Sequence, residues 1–169
     1  VRIADRHGRD LPPGERGELL IKGPGVTPGY WRRPDVTAEA IVDGWLHSGD
    51  VAVRDEDGYF TIVDRWKDMF ISGGENVYPA EVENVIYQLP QVGEAAVIGV
   101  ADARWGEVGR AFVVLKPEQR LSADAIIAHC QAQIARYKVP KSVIFIDKLP
   151  RNAAGKVVKD ELRRRPVPG

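Results

Sequence analysis

The stretch at residues 63–83 constrains the fold of this chain more than any other. It combines the end of a strand, a charged joint at residues 64–68, a short apolar strand, a glycine turn and the start of a helix. Gly73 and Gly74 can adopt backbone angles that are closed to other residues, and they let a ligand come close to the main chain. Pro79 suits the first turn of a helix. The stretch therefore predicts a strand–turn–helix corner that follows a charged joint.

Length and charge limit the classes of protein to which this chain can belong. Its 169 residues suffice for one ordinary domain or two small ones. The 24 basic and 24 acidic residues balance, which argues against a dedicated nucleic-acid or membrane-surface binder. No apolar run approaches the length of a transmembrane helix, and the N-terminus is not a signal peptide. We therefore expect no nucleic-acid partner and no transmembrane segment.

The cysteine and histidine content argues against disulfides and metal centres. Cys130 is the only cysteine, so no internal disulfide can form, and a reducing cytoplasm fits best. It lies in an apolar helical pattern, which favours a buried, inert thiol over a nucleophile. His7, His47 and His129 are scattered along the sequence, so no metal site is expected.

Two segments with different patterns flank a hinge-like joint at residues 64–67. Residues 1–64 carry turn signals and short apolar runs, which predict a small β-rich, barrel-like subdomain. Residues 68–165 predict a compact α+β lobe with a three-stranded sheet and flanking helices. Strands are expected there at residues 95–100, 111–115 and 143–146, and helices at residues 80–89, 122–136 and 157–164. Residues 166–169 are expected to form a frayed tail.

Four motifs occur in order along the chain. They are Gly17-Glu18-Leu19 with Gly29-Tyr30-Trp31 and Pro34, then Trp45-Leu46-His47-Ser48-Gly49-Asp50, then residues 63–83, and last Leu149-Pro150-Arg151-Asn152-Ala153-Ala154-Gly155-Lys156. Together they resemble the motifs of the adenylate-forming enzymes, and their form is most similar to that of fatty-acyl-CoA ligases. Trp45 and Ser48 stand where tyrosine and threonine are commoner in the family. Neither departure alters the acid at Asp50.

The resemblance implies nucleotide-binding, hinge and catalytic residues. Asp50 would accept hydrogen bonds from the ribose hydroxyls, although a turn aspartate that satisfies backbone amides is the alternative. Arg65 would reach the ribose and phosphate of the nucleotide, and Lys67 falls on the hinge position. By composition alone, residues 64–68 would be a solvated cluster of ion pairs. Lys156 would be catalytic, bridging the substrate carboxylate and the α-phosphate from a mobile loop.

The resemblance also implies a path for coenzyme A. The run Ser72-Gly73-Gly74-Glu75 matches the family's pantetheine tunnel, where paired glycines leave room for the ligand, although a simple turn is the alternative. Three basic residues are possible contacts of the coenzyme A phosphates, or they form a merely solubilising basic face: Arg136, Lys138 and Lys141.

The family reaction implies the substrates and the partners. A carboxylate and ATP give an acyl-adenylate and pyrophosphate, and coenzyme A then takes the acyl group and releases AMP. We expect a fatty acid as the carboxylate, and the N-terminal domain of the same enzyme as the partner. Mg²⁺ is expected for the intact enzyme, with its site outside these residues. The resemblance covers only the last third of such an enzyme and lacks its phosphate loop and acyl pocket. The chain is therefore expected to be a C-terminal fragment that is inactive by itself.

Two other classes of protein stay open. The chain could come from the adenylation domain of a peptide synthetase or from an aryl-CoA ligase. It could also be a non-catalytic binding module of the same fold. That last alternative predicts the loss of Lys156 or Asp50, and both residues are present.

Overall fold

The chain divides into two compact units. In the computed structural model, which describes residues 1–165, the first unit is Val1–Lys67 and the second begins at Asp68. The division lies at the end of the joint predicted at residues 64–67. The frayed tail predicted at residues 166–169 lies outside the described residues. Within the described part of the chain, no helix is long and apolar enough to cross a membrane.

The first unit is built on one antiparallel sheet. Its elements are β1 (Arg2–Ala4), β2 (Arg16–Ile21), α1 (Pro34–Ala40), β3 (Ile41–Val42), β4 (Trp45–Arg54) and β5 (Phe60–Arg65). The five strands follow the order β1-β2-β4-β3, and β5 also pairs with β4. Ile3, Leu19 and Ala52 form a small buried core beside this sheet. The β-rich unit expected from the sequence is therefore present.

The hairpin of β4 and β5 is the part of the first unit that positions functional residues. A turn at residues 55–58 joins the two strands, and the Asp55 carboxylate accepts the Tyr59 N–H at 2.8 Å. The register of the pair places Asp50 opposite Arg65 and Val51 opposite Asp64. The hairpin therefore brings together two residues that lie fifteen positions apart in the sequence.

The second unit combines a mixed sheet with three helices. Its elements are β6 (Phe70–Ser72), β7 (Glu75–Val77), α2 (Pro79–Ile86), β8 (Val92–Asp102), β9 (Gly106–Leu115), α3 (Ala123–Gln133), β10 (Ser142–Phe145) and α4 (Lys159–Arg163). A short 3₁₀ turn, Arg136–Lys138, follows α3. The long strands β8 and β9 pair antiparallel, and β10 lies parallel to β9. The α+β class predicted from the sequence is confirmed.

The sheet of the second unit has five strands, so the predicted count of three was wrong. The two additional strands, β6 and β7, form a hairpin of three residues each around the glycine turn. The short apolar strand predicted before the glycine turn is β6, although it was not counted in the sheet. The strand β7 was not predicted, because three residues are too few to show an alternating pattern. The pairing of Ser72 with Gly106 joins this hairpin to β9. The glycine turn is therefore part of the sheet.

The core of the second unit lies between the sheet and helices α2 and α3. Its fully buried side chains include Val82, Ile86, Val97 and Ile126. Cys130 is 0% exposed in the same core, and burial raises the pKa of its thiol to about 11. The predicted burial of the thiol is confirmed, and the raised pKa favours its protonated, unreactive form at neutral pH.

Candidate functional site

The two predicted nucleotide-binding residues form an ion pair across the β4–β5 hairpin. Arg65 Nε lies 3.0 Å from Asp50 Oδ1. The Arg65 side chain is 54% exposed and that of Asp50 is 23% exposed, so the pair faces solvent and adds little to stability. It places a carboxylate that can accept hydroxyl hydrogen bonds beside a guanidinium that can contact a phosphate.

A second carboxylate supports the turn that carries Asp50. Glu18 Oε2 lies 2.8 Å from His47 Nδ1, and Glu18 Oε1 accepts the Gly49 N–H at 3.2 Å. The Asp50 N–H donates to Ser48 Oγ at 3.1 Å. Glu18 therefore ties β2 to the segment that precedes Asp50. Glu18 lies in the first of the four motifs, but no role was predicted for it; the signal that could have indicated one is an acid among the apolar residues of a strand.

Lys67, the predicted hinge residue, is exposed within a 3₁₀ turn, Trp66–Asp68. The division between the two units falls directly after it. A hinge must change its backbone angles without losing buried contacts. The local structure is compatible with that requirement, and the hinge role stays a prediction.

The glycine run forms the tight turn between β6 and β7. Ser72 is 3% exposed, and the Gly73 N–H donates to the carbonyl oxygen of Trp105 at 2.9 Å. Gly73 has a φ of +61°, and a Cβ there would lie 2.8 Å from Trp105 Cε3. A Cβ on Gly74 would meet no atom within 4 Å, and Glu75 is exposed. Packing against Trp105 thus explains Gly73, whereas Gly74 faces open space, where a ligand could approach.

A cavity of about 360 Å³ lies beside this turn in the second unit. Its walls include the buried Ser72, two aromatic rings and three basic side chains: Trp105, Tyr137, Arg104, Arg136 and Lys141. The cavity therefore brings the predicted tunnel residue Ser72 together with two of the three predicted phosphate contacts. Arg104 and the two aromatic residues were not found by the sequence analysis, because nothing in their local pattern separates them from ordinary surface residues.

The third predicted phosphate contact, Lys138, has a different environment. Its ammonium lies 2.6 Å from Glu81 Oε1 on α2, and its side chain is only 16% exposed. It is also absent from the residues that line the cavity. The side chains of Arg136 and Lys138 diverge because they leave a tight 3₁₀ turn two residues apart. The structure thus groups Arg136 and Lys141 at one cavity and places Lys138 elsewhere, and the phosphate-binding role of all three stays a prediction.

The turn at residues 102–105 shapes one wall of the cavity. Asp102 Oδ1 accepts the N–H groups of Arg104 and Trp105 at 2.8 and 2.9 Å. These two bonds lower the pKa of Asp102 below its ordinary value, with smaller contributions from the charges of Lys141 and Arg104. The guanidinium of Arg104 lies 5.0 Å from the centre of the Trp105 ring. The Asp102 carboxylate thus holds the backbone that presents Trp105.

Lys156, the predicted catalytic residue, is exposed on a small loop between β10 and α4. A bridge between Arg151 and Val157 closes the loop, and the Asn152 N–H donates to the Lys156 carbonyl oxygen at 2.9 Å. Leu149, just before the loop, is 4% exposed and packs in a small core with Leu162 of α4. The loop therefore projects from an anchored base and presents the Lys156 ammonium to solvent.

The described residues offer no obvious metal centre. Across residues 1–165, no three His, Cys, Asp or Glu side chains are grouped closely enough to hold a metal ion.

Comparison with protein families identifies the larger part of the second unit. Residues 81–156 match the model of the AMP-binding enzyme C-terminal domain. A feruloyl-CoA synthase of Amycolatopsis is 57% identical over 98% of this chain, which covers 34% of that relative. A 2-succinylbenzoate–CoA ligase of Geobacillus kaustophilus is 50% identical over 94% of this chain and 32% of the relative. The chain thus spans about a third of the length of the curated relatives that it matches.

Solved structures give the same result for the fold. The ATP-bound MatB of Rhodopseudomonas palustris matches with a TM-score of 0.90 at 43% identity, over 96% of this chain and 33% of that one. The amide bond synthetase McbA of Marinactinospora thermotolerans matches with a TM-score of 0.90 at 37% identity, over 97% of this chain and 34% of that one.

Proposed function

Because this chain belongs to the adenylate-forming superfamily and carries its AMP-binding enzyme C-terminal domain, we propose that it is the C-terminal part of an AMP-forming acid–thiol ligase. The intact protein would join a small-molecule carboxylate to coenzyme A through an acyl-adenylate. The observation that carries this proposal is the 57% identity over 98% of the chain to a CoA ligase.

In the first half of the reaction, the carboxylate attacks the α-phosphorus of ATP and pyrophosphate leaves. Asp50 accepts hydrogen bonds from the ribose hydroxyls, and the exposed Arg65 guanidinium contacts ribose and phosphate oxygens. Negative charge builds between the carboxylate and the α-phosphate in the transition state. The Lys156 ammonium stabilises that charge, and its exposed loop leaves it free to approach the reacting groups.

In the second half, the thiol of coenzyme A attacks the acyl carbonyl and AMP leaves. Pantetheine passes the glycine turn, where Gly74 adjoins open space. Arg136 and Lys141 bind the coenzyme A phosphates, and the Trp105 or Tyr137 ring offers a face for the adenine. Lys67 is the hinge that lets the second unit present Lys156 in the first half-reaction and the glycine turn in the second.

The names of similar proteins indicate which class of carboxylic acid the intact protein would use. The two relatives described above are named for ferulate and 2-succinylbenzoate, so the fatty acid expected from the sequence finds no support in them. We propose an aromatic carboxylate as the preferred substrate, with a fatty acid as the alternative.

The test is ATP–pyrophosphate exchange by the full-length protein with ferulate, 2-succinylbenzoate and decanoate, followed by coenzyme A-dependent release of AMP. We expect exchange that depends on an aromatic acid, and AMP release only when coenzyme A is added. The 169-residue chain alone should give no exchange. An absence of exchange with every acid would overturn the proposal, and exchange with decanoate alone would restore the fatty-acid alternative.

A second candidate function has one observation in its favour. The fold matches an amide bond synthetase as well as it matches MatB, so the acyl-adenylate could pass to an amine. Replacing coenzyme A by amines in the same assay separates the two. The basic cavity of the second unit favours coenzyme A, because an amine acceptor has no phosphates for Arg136 and Lys141 to bind.

A further inference from the structure

The peptide group between Gly155 and Lys156 is held at both of its polar atoms. Its carbonyl oxygen, on Gly155, accepts a hydrogen bond from Arg151 Nη1 at 2.7 Å. Its N–H, on Lys156, donates to Asn152 Oδ1 at 2.9 Å. The orientation of a peptide group sets the direction in which the following side chain leaves the backbone. Arg151 and Asn152 therefore fix the direction from which the Lys156 side chain starts.

This peptide needs such restraint because of the glycine that precedes it. Gly155 has a φ of +76°, and a Cβ there would meet no atom within 4 Å. Glycine populates both signs of φ about equally, and the open space beside the Gly155 Cα provides no packing that would hold its conformation. The Gly155 N–H donates to the carbonyl oxygen of Asn152 at 2.9 Å. The bond that Arg151 donates and the bond that Asn152 Oδ1 accepts add a restraint on the next peptide group that packing does not supply.

A carboxylate of the sheet anchors the same arginine. Arg151 Nη2 lies 2.6 Å from Glu94 Oε2, so one guanidinium joins the loop to β8. Glu94 follows Val92 across an irregularity in the pairing of β8 with β9, and it is half-buried. A guanidinium is planar and can donate from two nitrogens at once, and Arg151 uses both: one toward the loop and one toward the sheet.

We infer that Arg151, Asn152 and Glu94 are positioning residues that clamp the Gly155–Lys156 peptide and thereby aim Lys156 during adenylate formation. The inference rests on the proposed function, in which Lys156 stabilises the transition state. In this proposal none of the three contacts the substrate: Arg151 and Asn152 act through the peptide group, and Glu94 acts through Arg151. A misplacement of about 1 Å can cost a reaction about 100-fold, so a loosened clamp lowers the rate of the first half without removing the lysine.

The first test measures the clamp without any substrate. The full-length protein is exchanged in deuterated buffer and digested, and mass spectrometry then measures deuterium uptake in the proteolytic fragment that spans residues 151–157. Arg151→Met and Asn152→Ala should speed exchange there, whereas Asn152→Asp, which keeps the acceptor oxygen, should retain the parent rate. Arg9→Met is the matched control, because Arg9 forms an ion pair at 2.8 Å with Asp5 in the first unit. Unchanged exchange in Arg151→Met and Asn152→Ala would overturn the clamp, whatever the protein's activity.

The second test measures the two half-reactions separately. Adenylate formation is followed with the acid that supports ATP–pyrophosphate exchange, and thioester formation is followed with the synthetic adenylate of that acid. Arg151→Met, Asn152→Ala and Glu94→Gln should slow adenylate formation about 10- to 100-fold, whereas thioester formation from the supplied adenylate should stay at the parent rate. Arg151→Lys can keep one of the two contacts, so its rate of adenylate formation should lie between those of the parent and Arg151→Met. Intact thioester formation shows that each variant is folded.

Lys156→Ala distinguishes failure of the inference from failure of the proposed function. If Lys156→Ala stops adenylate formation while Arg151→Met and Asn152→Ala form it at the parent rate, the positioning role is wrong and the catalytic lysine stands. If Lys156→Ala itself forms adenylate normally, both the catalytic lysine and its positioning fail.

Discussion

At the scale of single residues, neighbouring side chains of like charge have different environments. Arg136 and Lys138 occupy one 3₁₀ turn, yet only Arg136 lines the cavity, because Glu81 holds the Lys138 ammonium. Basic residues that cluster in the sequence are therefore not equivalent ligands for a phosphate. The difference can be measured one side chain at a time.

We predict that Arg136→Ala and Lys141→Ala each raise the KM for coenzyme A about tenfold, because a hydrogen bond to a charged group contributes about 1.5–3 kcal/mol. Lys138→Ala should leave that KM unchanged, although it removes the same charge. The measurement is the coenzyme A dependence of thioester formation from supplied adenylate. An equal rise in all three variants would show that the whole basic face, rather than the cavity, attracts coenzyme A.

We predict that acid opens the turn at residues 102–105. The pKa of Asp102 is lowered in the folded state, chiefly by the bonds from the Trp105 and Arg104 amides. Its carboxylate therefore contributes stability above its ordinary pKa of 3.8, and that contribution is lost as the pH falls through the lower folded value.

Hydrogen exchange of the Trp105 amide, measured from neutral pH downward and corrected for the intrinsic rate, checks this expectation. Protection should hold at neutral pH and decline below pH 3.8, within the range where the carboxylate takes up its proton. Asp102→Asn keeps an acceptor oxygen and should show no such transition. The same acid response in Asp102→Asn would assign it to another group.

At the scale of elements, adjacent glycines in the β6–β7 turn have different reasons to be there. Both have positive φ, but only Gly73 packs against a neighbouring ring. We predict that Gly73→Ala is the more destabilising change, because it adds a contact of 2.8 Å with Trp105 to the backbone cost. Overpacking of this kind costs about 1–3 kcal/mol.

Chemical denaturation of the two alanine variants, together with both half-reactions, separates packing from ligand passage. Gly74→Ala should lose only the backbone contribution of about 1–2 kcal/mol, and it should slow thioester formation if pantetheine passes this turn. If Gly74→Ala forms the thioester at the parent rate, pantetheine does not pass this turn, and the glycine run is a simple turn.

Most helices and strands could be predicted from local patterns, including the short apolar strand β6, but strand β7 and the pairing of the strands could not. The Ser122 cap of α3 follows from a residue preference, and Ser122 Oγ does accept the Ala125 N–H at 3.2 Å. The helix ends at Gln133, however, a few residues before the predicted end near Arg136, because Ile134 has an extended backbone and a separate 3₁₀ turn, Arg136–Lys138, follows. Similarly, the three-residue strands β6 and β7 depend on pairing with each other and with β9.

At the scale of the whole molecule, the two units meet in sequence at Lys67. We predict that Lys67→Pro slows thioester formation while adenylate formation continues. Proline fixes φ at about −65° and so removes the backbone rotation that a hinge requires. Lys67→Ala removes the charge but leaves the backbone free, so it should support both halves at the parent rate. Rapid-quench experiments would measure the rate of each half-reaction in both variants and in the parent. Parent rates for both halves in Lys67→Pro would exclude Lys67 as the hinge.

The sequence by itself determined the family, the α+β class and the positions of the four motifs. These are properties of local runs, such as Trp45-Leu46-His47-Ser48-Gly49-Asp50, in which spacing and residue type are sufficient. The burial of Cys130 could also be predicted, because it lies in an apolar helical pattern.

Only the tertiary structure decided which side chains meet. Glu18 reaches His47 and Gly49 across 29 and 31 positions, and Arg151 reaches Glu94 across 57. The cavity likewise brings together Ser72, Trp105 and Lys141 from three separate segments of the chain. The reason is physical: such contacts depend on strand register and on the direction in which each side chain leaves its element, and neither quantity is encoded in the residues of one local run.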